Sequence, residues 1–566
     1  MSGDIRRRLP VSPAVIPRVG VITVALAAAV FMAVCDNLSL WRALWLIVTP
    51  LTVDGVRILA TSFLIVVLLF TLLLMFFGMR YLFRPVLAII LITAAVVGYF
   101  MATYGVVIDR AMIQNVFETD VREATELLGP GLFWHVLVFG AVPAWLVFRL
   151  PIRYDPFWRG LGKRCLVLGA GLLLGGAAVF ASYKDLALIM RQNRQLRMLV
   201  NPTYPAYALA TYARRSLAGH SETPLRPLTG AVVQDPSWQK RGRKRVIVFI
   251  LGETARAANF SLNGYARETN PELTRYDVIN FREVSACATS TADAVPCLFS
   301  GMSRANCSSD KARQSENLLD LLNRAGIRVL WRDNNSGSKS VADRVAYEDL
   351  ANSRVAGLCR DGECFDEILL HDLQEAIDRA DGDLFLVLHQ KGSHGPLYYR
   401  RVPDAFRKFT PECRQDEVQT CSREEITNSY DNTILYTDHF LAQTIDFLQS
   451  NARAYDTALL YMSDHGESLG ENGIYLHGAP YFLAPEEQTH VPCIVWLSEG
   501  FTRDAGLDLL RLRQTTAQAY SHDNLFHTIL GMFDVKTNVY RAEFDLFAPG
   551  RGVRPERSCA PGAASG

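Results

Sequence analysis

Three hydroxyl residues stand side by side in the segment SACATSTADAVPCLFSG: Thr289, Ser290 and Thr291. A cluster of this kind between turns is most often a polar loop. A hydroxyl is also a weak nucleophile, which a divalent cation or a neighbouring base activates for covalent catalysis. The segment therefore raises the question of which hydroxyl does chemistry, and the rest of the chain has to supply the metal ligands or the base.

Side chains that bind metals recur directly after the apolar runs in the second half of the chain. Glu253 follows RVIVFIL, and Asp464 and His465 follow TALLYMS. Carboxylate oxygens and imidazole nitrogens bind zinc, and a catalytic zinc site keeps one position open. Taken singly, Glu253 fits a helix cap and His465 fits a turn. Taken together with the hydroxyl cluster, they predict a metal site.

Two histidines and a lysine follow in similar positions. His394 lies in QKGSHGP and His477 in YLHGAP, beside glycines that let the backbone approach a ligand closely. A lone loop histidine is usually a surface residue, but both lie where strand ends should gather. We expect them to bind a second cation or to donate a proton to a leaving oxygen. Lys339, at the end of RDNNSGSK, suits a phosphate oxygen and equally suits an exposed loop.

The elements that position these residues follow from the hydrophobic pattern. Strands are predicted for RVIVFIL, GIRVLW, DLFLVLH, TALLYMS and HVPCIVWL, and a helix for YDNTILYTDHFLAQTIDFLQS. Strands that alternate with helices favour a mostly parallel sheet with helices on both faces. Since ligands bind at the carboxyl ends of such strands, the polar clusters are expected to converge on one edge.

The first third of the chain is apolar enough to cross a membrane, which takes about 20 residues per helix. Five runs qualify: Val19–Cys35, Val56–Gly78, Leu82–Ala102, Gly131–Arg149 and Cys165–Ser182. Buried core helices of a soluble protein rarely have such long apolar stretches. A cleaved signal peptide does not fit either, because the first run lacks a small-residue cleavage site.

The orientation of the spans follows from the basic residues in short loops. They concentrate in the amino terminus, between spans two and three, and between spans four and five, whereas the loop between spans three and four is acidic. The amino terminus is therefore predicted to be cytoplasmic and the second half extracytoplasmic. We predict a membrane domain at 1–183, an interfacial helix and linker at 184–240, a catalytic α/β domain at 241–547 and a disordered tail at 548–566.

Charge and cysteine content agree with this placement. The 566 residues carry a net charge of +1, which points to no nucleic-acid partner. Nine of the eleven cysteines follow residue 286, and no CxxC pair occurs. This favours disulfides in an oxidising compartment over metal thiolates. The close pairs are Cys287 with Cys297, Cys359 with Cys364 and Cys413 with Cys421, while Cys307, Cys493 and Cys559 have no obvious local partner.

Five motifs in this order resemble the lipid A phosphoethanolamine transferases of Gram-negative bacteria, a family that includes the mobile colistin-resistance enzymes. They are GETARAANFSLNGY, CATSTADAVPCLFSG, WRDNNSGSK, HQKGSHGPLYY and SDHGESLGENGIYLHG. The resemblance extends over the whole chain, including the five membrane spans. It implies a helical membrane domain of five spans joined to a soluble α/β domain of the alkaline phosphatase/sulfatase type.

The resemblance also implies roles for individual residues. Thr291 matches the nucleophile, and the zinc ligands match Glu253, Thr291, Asp464 and His465. His394 and His477 match histidines of a second metal or of the substrate, and Lys339 matches a phosphate-contacting lysine. In the external loop, Asn115, Thr119 and Glu123 share one helical face that is implicated in head-group binding, although a solvated face explains this spacing equally well. Cys359 and Cys364 stand closer together than the usual pair of the family.

The implied function is a two-step transfer in the bacterial inner membrane, with the catalytic domain in the periplasm. Thr291 takes phosphoethanolamine from phosphatidylethanolamine at a site that binds one zinc ion tightly and has room for a second zinc ion. A phosphate of lipid A then accepts the phosphoethanolamine group. The lower surface charge would give resistance to polymyxins and cationic peptides. We expect a monomer. The alternatives are a core sugar or other glycan as acceptor, a phosphoesterase or phosphoglycerol transferase of the same superfamily, and a catalytically inactive envelope protein that binds lipids or partner proteins.

Overall fold

The computed structural model describes residues 18–118, 125–217, 225–236, 242–415 and 417–551. The chain forms two compact units. One, the membrane unit, consists of Met1–Thr103 and Pro130–Tyr207, and the other, the sheet unit, of Tyr104–Gly129 and Ala208–Gly566. The segment between the third and fourth predicted spans therefore belongs to the sheet unit. From residue 552 onwards, the predicted tail lies outside the described residues.

The amino-terminal part of the chain is almost entirely helical. Its helices are α1 Val21–Cys35, α2 Leu38–Val48, α3 Val53–Phe76, α4 Phe83–Tyr104, α5 Arg110–Glu118, α6 Pro130–Arg149, α7 Phe157–Ala181, α8 Tyr183–Gln192 and α9 Thr203–Leu217. Within α6, residues Val136–Ala141 are wound as a π-helix. Two short strands, β1 Val19–Gly20 and β2 Ile152–Arg153, pair in parallel.

Four helices, α3, α4, α6 and α7, are long and apolar enough to cross a membrane, as the sequence predicts. The first predicted span differs, because α1 has 15 residues and α2 follows it at a bend of 62°. The break falls at Asp36 and Asn37, where the Asn37 side chain donates to the Met32 carbonyl at 2.9 Å and so competes with the helical backbone. Leu173 and Phe180 of α7 are 77% and 86% exposed, as expected where lipid replaces water. The membrane unit is a multi-pass bundle.

Two buried asparagines cross-link this bundle. Asn37 Nδ2 donates to the Asn201 carbonyl at 2.7 Å, and Asn201 N donates back to Asn37 Oδ1 at 2.9 Å. Asn201 Nδ2 also donates to the carbonyls of Asp36 at 3.0 Å and Ala94 at 2.7 Å. The bend between α1 and α2 is thus bonded to α4 and to the chain after α8. In a membrane these bonds matter because no water can replace them.

The sheet unit contains the remaining elements. Its strands are β3 Val233–Gln234, β4 Arg245–Gly252, β5 Ile279–Ser285, β6 Arg328–Asp333, β7 Ala346–Asp349, β8 Cys359–Arg360, β9 Glu363–Cys364, β10 Leu384–His389, β11 Asp456–Ser463, β12 Ser468–Leu469, β13 Tyr475–Leu476, β14 His490–Leu497, β15 Ala519–Ser521 and β16 Val535–Lys536. Its further helices are α10 Thr291–Phe299, α11 Ser309–Arg313, α12 Leu318–Arg324, α13 Leu373–Asp378, α14 Arg423–Asn451, α15 Glu486–Thr489, α16 Glu499–Ala505, α17 Leu509–Arg513 and α18 Asp523–Met532.

The central sheet has eight strands in the order β15-β5-β14-β11-β4-β10-β6-β7. Only the pairs of β14, with β11 and with β5, are antiparallel, so the prediction of a mostly parallel sheet is confirmed. The five predicted strands are β4, β6, β10, β11 and β14. Three strands were not predicted: β5 is partly exposed, β7 is an exposed edge strand and β15 has three residues. Such strands lack the continuous apolar run that marks a buried strand.

The registers bring the carboxyl ends of four parallel strands to one level. Ser463 at the end of β11 lies opposite Gly252 of β4, and His389 of β10 lies opposite Leu251 of β4 and Asp333 of β6. The residues that follow these strands therefore start from one edge of the sheet. On one face, β4 packs in a common core with α10 and α18, and α14 packs on the other face against β11.

Replacing Asn201 by alanine should destabilise the membrane unit, because the carbonyls of Asp36 and Ala94 lose their Nδ2 donor. An unmade buried hydrogen bond costs about 1–3 kcal/mol. The measurement is the thermal unfolding midpoint of the full chain in detergent. The matched control is Asn193→Ala, since Asn193 Nδ2 bonds only within its own turn, to the Ile189 carbonyl at 3.1 Å. Equal midpoints for the two variants would contradict the cross-linking role.

Candidate active site

Glu253 follows β4 and is fully buried at the edge of the sheet where the carboxyl ends of the parallel strands lie. Its carboxylate accepts hydrogen bonds from Thr254 Oγ1 at 2.6 Å and Asn335 Nδ2 at 2.7 Å. Thr254 has φ +57°, a left-handed conformation that a β-branched residue rarely adopts. Its carbonyl accepts a bond from Tyr430 at 2.7 Å, so α14 helps to hold this strained turn. The strain fixes the direction in which Glu253 points.

Asp464 and His465 follow β11 and are also fully buried. Asp464 Oδ1 accepts bonds from Thr254 N at 3.1 Å and His465 N at 2.7 Å, while Oδ2 has no hydrogen-bond partner among the described residues. His465 Nδ1 lies 2.9 Å from the Gly466 carbonyl, which leaves Nε2 to face the site. Nε2 lies 3.3 Å from Asp464 Oδ2 and 3.5 Å from Glu253 Oε1.

Thr291 is the first residue of α10, with Ser290 in extended conformation before it. Its Oγ1 lies 3.2 and 3.3 Å from the two carboxylate oxygens of Glu253 and 3.3 Å from His465 Nε2. Thr289 Oγ1 instead donates to the Ala479 carbonyl at 2.6 Å. Of these two threonines, Thr291 is therefore the one whose hydroxyl faces the buried carboxylates, at a helix amino end that favours anions.

The residues fit a metal ion. The ligand atoms of Glu253, Asp464 and His465 lie within 4.8 Å of one another, with Thr291 beside them. Two carboxylates and an imidazole are a donor set that zinc accepts, and Asp464 Oδ2 is a buried oxygen that accepts no hydrogen bond from the described residues and that a cation would satisfy. The site therefore suits a divalent cation of the zinc type.

His394 and His477 are brought to the same site. The ring of His477 lies 4.5 Å from that of His465 and 5.4 Å from that of His394, between ring centres. His477 Nδ1 lies 2.8 Å from Glu467 Oε2, and Tyr398 donates to Glu467 Oε1 at 2.7 Å. Burial acts to lower the pKa of His477, but the Glu467 carboxylate outweighs it and raises the pKa to about 9.

Several supporting residues were missed by the sequence reasoning. Asn335 bridges Glu253 and the Gln390 carbonyl, with Nδ2 at 2.7 and 2.8 Å. His389 is fully buried, and its Nδ1 lies 2.9 Å from Asp333 Oδ2. Although burial opposes the charged form, Asp333 raises the pKa of His389. The motifs could have identified three of the supporting residues, since Asp333 and Asn335 lie in WRDNNSGSK and Glu467 lies in SDHGE.

Lys339 lies on the loop after β6 and joins it to α5. Its Nζ donates to Ser336 O and Oγ at 2.9 Å each and to the Glu118 carbonyl at 3.3 Å. Asn115 of α5 lines a cavity of about 350 Å³ together with Thr289 and Ser290. The other two residues of the predicted face, Thr119 and Glu123, lie outside the described residues.

Helix α5 is anchored next to the nucleophile. Arg313 of α11 forms two bonds to the Glu118 carboxylate, at 2.6 and 2.7 Å, and donates to the Ala292 carbonyl at 3.2 Å. Arg401 likewise binds Glu126 at 2.7 Å and the His394 carbonyl at 3.0 Å. Both arginines connect the segment before α6 to residues that flank the cluster.

Two of the three predicted disulfides are formed, Cys359–Cys364 and Cys413–Cys421. The third prediction is wrong for this structure, in which Cys287 and Cys297 are free thiols. Cys287 donates to the Ala294 carbonyl at 3.5 Å, and Cys307 Sγ lies 3.8 Å from the Ser300 hydroxyl. Cys287 and Cys297 are buried in one cluster with Ala294, and Cys307 packs against this cluster.

The sheet order and the cluster at its edge define the alkaline phosphatase/sulfatase class. A family model described as Sulfatase matches residues 245–535, and one described as Phosphoethanolamine transferase EptA/EptB matches residues 66–217.

Similarity extends over nearly the whole chain. Phosphoethanolamine transferase EptA of Escherichia coli strain K12 is 37% identical over 95% of this chain and 98% of that protein. Phosphatidylethanolamine transferase Mcr-1 of Escherichia coli is 38% identical over 81% and 84%. The solved integral membrane protein lipooligosaccharide phosphoethanolamine transferase A from Neisseria meningitidis is 34% identical, covers 94% of this chain and all of that one, and has a TM-score of 0.89. The chain belongs to the EptA family of phosphoethanolamine transferases.

Asp464→Asn should weaken zinc binding by more than the roughly 10- to 100-fold that loss of a supporting group costs. The reason is that the amide removes a charged ligand while keeping the shape. Zinc content after dialysis and competition titration with a chelator measure the effect. Asp446→Asn is the matched control, since Asp446 only accepts a bond from Tyr276 at 2.8 Å. Unchanged zinc affinity in Asp464→Asn would rule out this ligand set.

Proposed function

We propose that this protein transfers phosphoethanolamine from phosphatidylethanolamine to a phosphate group of lipid A. The observation that carries the proposal is the Thr291 hydroxyl, which faces the buried Glu253, Asp464 and His465 at the amino end of α10. Membership of the EptA family supports the same donor and the same transferred group. The multi-pass membrane unit suits this reaction, because both substrates are lipids and tethering raises their effective concentration.

In the first step, Thr291 Oγ1 attacks the phosphorus of the donor. The bond from phosphorus to the diacylglycerol oxygen breaks, and phosphoethanolamine becomes esterified to Thr291. A zinc ion held by Glu253, Asp464 and His465 would lower the pKa of the hydroxyl. Glu253 lies 3.2 Å from Oγ1 and is placed to take its proton.

The leaving oxygen needs a proton, and the second half of the site supplies candidates for it. His477, held by Glu467, and His394 lie side by side next to His465. We assign the movement of this proton to these two histidines, with Glu467 keeping His477 in place. The amino end of α10 stabilises the negative charge on phosphorus.

In the second step, an oxygen of a lipid A phosphate attacks phosphorus and the bond from phosphorus to Thr291 Oγ1 breaks. Oγ1 then takes back its proton from Glu253. Two transfers through one nucleophile give ping-pong kinetics. The product carries an amine at each modified phosphate, so the outer surface loses net negative charge. Binding of polymyxins and cationic peptides weakens as a consequence. The proposed location of the sheet unit is the periplasm.

Thr291→Ala should abolish the transfer, because it removes the hydroxyl that lies beside Glu253 and His465. The measurement is mass spectrometry of lipid A from a susceptible Gram-negative host, which should show a phosphoethanolamine-sized addition with the intact chain only. Thr289→Ala is the matched control and should keep most of the activity. Membrane insertion and zinc content are checked for each variant.

Two outcomes would change the assignment. An addition to lipid A by the Thr291→Ala variant would exclude the covalent mechanism. No addition by the intact, zinc-loaded chain would exclude lipid A as the acceptor and leave a glycan acceptor or simple hydrolysis.

Arg313→Met should lower transfer while zinc binding stays intact, because α5 loses two charge-assisted bonds to Glu118. We expect a decrease of roughly tenfold or more in kcat/KM for the lipid donor. Initial rates with varied phosphatidylethanolamine measure it. The control is Arg379→Met, which breaks an exposed pair with Glu375. A loss of zinc together with activity would instead indicate a general folding defect.

A further inference from the structure

The membrane unit contains a cleft that the transfer reaction does not use. It has a volume of about 660 Å³ and lies at one end of the bundle. Its walls come from the start of α1, the connection between α3 and α4, and the segment from β2 into α7. These connections are the ones whose basic residues predict a cytoplasmic position. The cleft therefore lies at the ends of the membrane helices, at the depth of the lipid head groups.

The charges in the cleft are mainly positive. Its wall contains four cations, Arg80, Arg153, Lys163 and Arg164, and one carboxylate, Asp155. Lys163 Nζ lies 2.8 Å from Asp155 Oδ2, which neutralises this one pair. For the three arginines, no carboxylate of the described chain lies within ion-pair distance. The cleft thus has an excess of three positive charges.

The positions of these cations are set by the backbone. Arg153 lies in β2, which pairs with β1 so that Gly20 is opposite Arg153. Arg164 Nε donates to the Gly160 carbonyl at 3.1 Å. A side chain at Gly78 would place its Cβ 3.2 Å from Arg164 Cδ, so the absence of one lets the arginine cross this point. Arg164 is therefore held by a side-chain contact, and the backbone of Arg153 is held by the pairing of its strand.

The rim of the cleft is aromatic and apolar. Tyr81 and Phe157 line it and are 81% and 61% exposed, and the neighbouring Trp158 is 78% exposed. Exposed aromatic rings at helix ends are typical of the interface between head groups and acyl chains. Leu166, about two turns further along α7, is 72% exposed and continues the apolar surface. Acyl chains can follow α7 while the head group occupies the cleft.

We propose that this cleft binds the head group of an anionic glycerophospholipid, with its phosphate among Arg80, Arg153 and Arg164. Basic clefts between membrane helices on the cytoplasmic side suit such lipids. A zwitterionic head group would bring its ammonium group against the same cations, so the donor lipid of the transfer reaction is disfavoured here. The bound lipid joins α1, the α3–α4 connection and α7, and so stabilises the membrane unit independently of the catalysis.

The test uses the full chain, delipidated in detergent, with phosphatidylglycerol, phosphatidylethanolamine of the same acyl chains, and inorganic phosphate as probes. The thermal midpoint should rise with phosphatidylglycerol, and clearly more than with phosphatidylethanolamine. The double variant Arg80→Gln with Arg153→Gln should bind phosphatidylglycerol roughly tenfold or more weakly. The control, Arg149→Gln with Arg159→Gln, removes the same charge from residues outside the cleft wall and should bind like the natural chain.

Native mass spectrometry of the unmutated chain gives a second readout that does not depend on folding of a variant. In an equimolar lipid mixture, phosphatidylglycerol adducts should exceed phosphatidylethanolamine adducts. Three results would overturn the proposal: equal binding by the two double variants, equal adducts of the two lipids, or full stabilisation by inorganic phosphate alone. The last result would mean a site for free anions rather than for a lipid.

Discussion

Two buried carboxylates held against one imidazole impose the main constraint on the sheet unit. Glu253 and Asp464 are both inaccessible to solvent, and both lie within 3.5 Å of His465 Nε2. Like charges in an apolar surrounding repel strongly and lose their hydration. Donors from Asn335, Thr254 and the His465 backbone offset part of this cost. A cation bound here would complete the balance, and metal binding and fold stability would then depend on the same atoms.

This constraint explains two left-handed backbone conformations next to the cluster. Thr254 adopts a left-handed conformation because its amide and its hydroxyl both have to reach a carboxylate. Gly392, at φ +55°, passes so close to Glu253 that a Cβ would lie 2.6 Å from its carbonyl oxygen. Both residues follow directly on parallel strands whose registers are level. The pairing of the strands fixes where the turns begin, and the strained turns direct the side chains that follow the strands towards one site.

The sequence predicts those parts of the molecule that follow from long apolar runs and from the order of the motifs. The five predicted strands and the four long spans are of this kind, since continuous burial leaves a clear pattern. The bend at Asp36 and Asn37 depends on Asn201, a partner 164 residues away, and no local pattern reveals it. The residues that support the metal cluster are similar, because Asn335 and His389 become neighbours only when β6 and β10 pair. The clustering of Cys297 with both Cys287 and Cys307 likewise arises only in the folded chain.

The segment Tyr104–Gly129 has a position in the chain that affects the order of assembly. It is synthesised before α6 and α7, yet its anchors Arg313 and Arg401 lie 195 and 275 residues beyond Glu118 and Glu126. Contacts at such separations close large loops and form late. During synthesis the membrane helices are therefore in place long before this segment has anything to bind. A partly synthesised chain already inserted in the bilayer therefore contains α5 without the arginines that hold it beside Thr291, and this part of the site is completed only after Arg401 has emerged.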